Sequence, residues 1–113
     1  MAPPSKLAVL SSSVIRLVKE EASYHKELEQ QQARIQKLET DTADENAEYQ
    51  LKQERQALEE TKNVLPALGE KIKDAVAKLE DELEANKEAA PTDEITKAKE
   101  AIASAKAAIR ESA

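Results

Sequence analysis

Glu21, His25 and Glu29 follow one another at one-turn intervals in EEASYHKELE, a spacing that sets two carboxylates and an imidazole on one helical face, as a metal site would need. His25 is the only histidine and cysteine is absent, so such a site would lack the second imidazole or thiolate that gives protein metal sites their affinity. A solvated helix face is the simpler reading. Ser11, Ser12 and Ser13 supply hydroxyls, but no base and orienting carboxylate accompany them in a pattern that would activate a nucleophile, and they read as a tolerated helical stretch. Gly69 is the only glycine, which rules out a glycine-rich phosphate loop. The run containing Glu80, Asp81, Glu82 and Glu84 could attract a basic partner, although a solvated acidic face is the simpler reading. Glu48 with Lys52, Asp74 with Lys78 and Asp93 with Lys97 are spaced four apart, as ion pairs on exposed helices are. No catalytic residue, cofactor site or metal site is expected, and the chain does not read as an enzyme.

The elements that carry these residues are all helical. In 113 residues, 35% are charged and 2% aromatic, with no Phe, Trp or Cys. Ala, Glu, Lys, Leu and Gln dominate, all strong helix formers, while strand-favouring residues are few. A core made of Leu, Ile, Val and Ala with two tyrosines is thin, so an elongated helical packing is expected rather than a globule around a large pocket. The formal net charge of -6 leaves no cationic surplus for phosphates, which argues against nucleic acid. Only four apolar residues, Leu7 to Leu10, precede the serines, too few for a signal peptide core or a membrane span. A cytoplasmic protein without a membrane partner is the expectation.

Periodicity divides the chain into three helices forming a single domain over 1–113. Leu7, Leu10, Val14, Leu17, Glu21, Tyr24, Leu28, Gln31, Ile35 and Leu38 alternate three and four apart, a heptad seam with two polar exceptions, and place helix 1 at about 5–40. Ser5 is its expected N-cap. TDTADEN, residues 40–46, reads as the turn, with a capping box between Thr42 and Glu45. Helix 2, about 46–87, has a seam of Leu51, Leu58, Thr61, Leu65, Leu68, Ile72, Ala75, Val76, Leu79 and Leu83, whose phase passes unbroken through Pro66. An interior proline costs a helix about 3 kcal/mol, yet a true break would have no reason to keep register, so a kink at Pro66 and Gly69 is expected. Thr92 is the expected N-cap of helix 3, about 93–111, with a seam of Ile95, Ala98, Ile102, Ala105 and Ile109.

At about 1.5 Å per residue the helices measure roughly 54, 60 and 30 Å, so the third cannot cover the other two. An antiparallel, coiled-coil-like three-helix rod follows, in which helix 3 lies against the first half of helix 1 and the second half of helix 2. Val9, Ile15, Val18 and Ala22 broaden the apolar face of helix 1 only in its first half, as two neighbours require. The bend marks where three helices become two.

VIRLVKEEASYHKELEQQQARIQKLE, residues 14–39, and YQLKQERQALEETKNVLPALGEKI, residues 49–72, closely resemble the tubulin-binding cofactor A family in segment order and in the proline inside the second helix. The match is weakest in the 40–46 turn and the Ala-rich third helix. That resemblance implies a three-helix cytosolic chaperone that captures β-tubulin after chaperonin release, without ATP, and passes it towards heterodimer assembly with other tubulin-folding cofactors. It implies a cytoskeletal, microtubule-related role and leaves monomer and homodimer both open. The bend and the two-helix half are expected to contribute the contact surface, with candidate partner-binding residues Arg16, Lys19, Glu20, Tyr24, His25, Tyr49, Lys52, Gln53, Arg55, Lys62 and Asn63. Each has an ordinary alternative: Tyr24 sits on the seam, Tyr49 could staple the start of helix 2, and the charged residues could simply face solvent. A structural coiled-coil protein or adaptor without tubulin specificity is the alternative function.

Overall fold

A computed structural model describes residues 4–41 and 45–112, with side chains to residue 111. The described residues form three α-helices and no strand: α1 Lys6–Thr40, α2 Ala47–Asn86 and α3 Thr92–Ser112. Pro66 lies inside α2, which runs on without a break, so the preserved seam reports one helix rather than two.

The helix ends show why the boundaries fall where they do. Ser5 caps α1, its Oγ accepting from the Ala8 N–H at 3.0 Å while its carbonyl accepts from Val9 at 3.0 Å. The same hydroxyl donates to the Glu94 carboxylate, tying that cap to the first turn of α3. The Asn46 carbonyl accepts the first bond of α2, from Gln50 at 2.9 Å, whereas the expected capping box of Thr42 with Glu45 involves Thr42, which lies outside the described residues. At α3 the expected cap is displaced by one. The Pro91 carbonyl accepts from Glu94 and Ile95, both at 3.1 Å, so Pro91 is the cap and Thr92 the first helical residue, followed by Asp93 and Glu94 where the helix dipole favours negative charge.

Contacts divide the chain into two compact units. The first, Met1–Glu20 with Leu68–Ala113, contains segments of all three helices and is built around Leu7, Val14, Leu68, Ile72, Val76, Leu79, Ala98, Ala101 and Ala105. Ser11 is also fully buried here. Its hydroxyl donates to the Leu7 carbonyl at 2.9 Å, which lets a polar side chain occupy a dry position. Conversely Val9, expected to broaden the apolar face of α1, is exposed, as is Ala22, which belongs to the second unit. Ile15 and Val18 are half-buried as anticipated. In α3, alanines at 98, 101 and 105 are buried while Ile95, Ile102 and Ile109 are half-buried, so small residues line the closest approach of this helix.

The second unit, Glu21–Ala67, contains segments of α1 and α2 only. Arg34 pairs with Glu54 at 3.1 Å and Arg55 with Glu39 at 3.4 Å across the two antiparallel segments. Ile35, Ala47 and Thr61 are buried, with Leu28, Leu38, Leu51, Leu58 and Leu65 only half-buried. Each helix has a single neighbour here, so a seam residue loses contact with water on one side only. The largest fully buried side chains among the described residues, Ile72, Leu79, Val14 and Ser11, all belong to the three-helix unit.

Candidate functional site

Seam geometry decides what is buried regardless of residue type. Glu21 and Gln31, the two polar exceptions on the α1 seam, are 4% and 3% exposed. Glu21 is matched by His25 one turn on, its Oε1 lying 3.3 Å from the imidazole Nε2. Glu29 does not join them, and among the described residues no group of three His, Cys, Asp or Glu could hold a metal ion.

Gln31 is different. Its Oε1 is buried without a hydrogen-bond partner, one of two such side-chain atoms among the described residues, the other being Glu54 Oε2. Gln31 lines a hollow of about 230 Å³ between the paired segments of the two-helix unit. Tyr24 and Glu27 stand beside it on α1, and Ala57, Glu60, Thr61 and Val64 face it from α2. Thr61 is satisfied internally, donating to the Ala57 carbonyl at 3.0 Å, and Val64 is 38% exposed. A second hollow in the same unit, about 400 Å³, is lined by Arg34, Lys37, Leu38 and Asp41 with Gln50, Gln53 and Glu54. Here the Arg34 and Glu54 ion pair supplies the polar wall.

Eight of the eleven expected partner-binding residues fall in the two-helix unit, and Arg16, Lys19 and Glu20 belong to the other. Tyr24 and His25 are half-buried; Lys52, Lys62 and Asn63 are exposed. Tyr49 is 64% exposed, so it does not staple the helix start; its hydroxyl instead accepts from Gln53 Nε2 at 2.7 Å. Gln53 brings that pair to the rim of the larger hollow. Arg55 points to Glu39 on the facing segment. Gln31, Glu27, Glu60 and Val64 are absent from the expected set. The available signal is the glutamine itself, one of the two polar exceptions on the α1 seam.

Among the described residues no helix is long and apolar enough to cross a membrane. No solved structure matches the chain significantly. It is 36% identical over 102 residues to Tubulin-specific chaperone A of Saccharomyces cerevisiae, an alignment covering 90% of this chain and 92% of the yeast protein. The family description Tubulin binding cofactor A matches residues 2–102, through α1, α2 and half of α3. The chain belongs to the tubulin binding cofactor A family.

Proposed function

We propose that this chain is a tubulin-folding cofactor that captures β-tubulin released from the chaperonin, holds it against aggregation and passes it on towards heterodimer assembly. The observation that carries this is the family match over residues 2–102, which spans both long helices and the proline inside the second. A coiled-coil adaptor without tubulin specificity is not favoured by a match of that extent. The reading is of a cytoplasmic, non-enzymatic protein, one domain over 1–113, with other tubulin-folding cofactors as further partners.

A protein that holds a near-native subunit must bind it tightly enough to cover aggregation-prone surface and loosely enough to release it. Broad contact of mixed polarity serves that purpose, with affinity concentrated in a few side chains. The two-helix unit is suited to it: its seam leucines, Leu28, Leu38, Leu51, Leu58 and Leu65, are only half-covered, and Tyr49, Lys52, Lys62 and Asn63 stand exposed on α2. Replacing those four with alanine should weaken β-tubulin capture about tenfold or more, the loss expected when even one anchoring side chain worth about 1.4 kcal/mol is removed. Helicity should be unchanged. A parallel replacement of Arg16, Lys19 and Glu20 tests the other unit, and capture unaffected by either set would reject this surface.

A further inference from the structure

The smaller hollow of the two-helix unit carries more than shape. We infer that it receives a lysine or arginine side chain of the protein this chain binds. Gln31 lines the hollow at 3% exposure and its Oε1 has no partner, so the desolvation of this acceptor is uncompensated until a donor arrives. Glu27 and Glu60 line the same hollow and are exposed. Neither takes part in any described ion pair, and neither has a basic residue three or four positions away on its own helix, where exposed carboxylates ordinarily find one. Ala57 and Val64 supply an apolar wall for an aliphatic stem, and Tyr24 adds to the lining an aromatic side chain of the kind on which cations stack. At about 230 Å³ the hollow is several times the roughly 30 Å³ share of one water molecule, enough for a long side chain.

Charge points the same way. Residues 21–67 hold eleven acidic and six basic side chains, so this unit carries -5 of the chain's -6. A basic patch on a partner is therefore steered to this unit, and the hollow is where one of its side chains would be fixed. The identification of that partner as β-tubulin rests on the proposed function; the preference for a basic side chain does not.

Two measurements keep these apart. In the first, β-tubulin capture is compared among the wild-type chain, Gln31→Met and the pair Glu27→Gln with Glu60→Gln. Gln31→Met removes the orphan acceptor at nearly constant volume, so it should raise the melting temperature while weakening capture about tenfold. A merely structural glutamine would give the first effect without the second. The glutamate pair should weaken capture by a similar factor with melting unchanged and should flatten its salt dependence. In the second, N-acetyl-arginine methylamide is titrated into the free protein, and the Gln31 side-chain amide should shift where that of Gln50 does not. Wild-type capture of β-tubulin matched by both variants would overturn the inference and leave the family function standing. A wild-type chain that captures no β-tubulin would instead overturn the proposed function, and a shifted or unmoved Gln31 amide would then uphold or overturn the hollow's preference by itself.

Discussion

Replacing Pro66 and Gly69 with alanine should make this protein more stable. Pro66 has no N–H, so the Lys62 carbonyl four residues back lacks its partner in the ladder, and an interior proline costs a helix about 3 kcal/mol relative to alanine. Both Pro66 and Lys62 are exposed, so water can reach the orphaned carbonyl and part of that cost is already relieved. A gain of about 1–3 kcal/mol is the expectation for Pro66→Ala. Gly69 does not have left-handed backbone, and a Cβ placed on it meets nothing within 4 Å, so Gly69→Ala gives the usual entropic gain of about 0.5–1 kcal/mol. The sites are one turn apart and couple, so the pair should give about 2–3 kcal/mol, near 4 °C of melting temperature for each kcal/mol in a chain of this size. Urea unfolding followed by helical circular dichroism measures it, with the midpoint rising at constant slope. An unchanged or lowered midpoint would refute the reasoning, because it would mean that Leu65 and Leu68 pack correctly only when α2 is distorted between them. If the stabilised pair captures β-tubulin less well, the two residues are retained for binding at the expense of stability.

Two further substitutions test the packing and capping. Ile72→Ala, at a side chain with no exposure, should cost about 2–5 kcal/mol in the same urea experiment, whereas Val9→Ala, at a position 47% exposed, should stay within about 0.5 kcal/mol. Ser5→Ala should lose about 1 kcal/mol with the cap on α1, and Ser5→Asp, usually as good a cap, should fail to restore it because the carboxylate would face Glu94; full restoration would show that the Ser5 to Glu94 contact contributes nothing.

Helix periodicity made most of this architecture readable, because a seam is a geometric fact that does not depend on what occupies it. All ten positions assigned to the α1 seam are buried or half-buried, Glu21 and Gln31 included. Away from the seam, residue type is a poor guide to burial. Val9 and Ala22 are apolar yet exposed, and Ser11 is polar yet fully buried because its hydroxyl bonds within its own helix. The cap of α3 was displaced because Thr92 is the better capping side chain, while the chain used the Pro91 carbonyl and placed the threonine inside. The hollow was not readable at all. It exists because particular residues of α1 and α2 face one another, and that register depends on the pairing of two helices rather than on the pattern of either.

Size-exclusion chromatography with light scattering tests the central claim most directly, on the chain alone and mixed with chaperonin-released β-tubulin, with α-tubulin as the control. A discrete complex with β-tubulin and none with α-tubulin is the predicted result, and its mass gives the stoichiometry. Equal complexes with both tubulins, or none with either, would contradict the account.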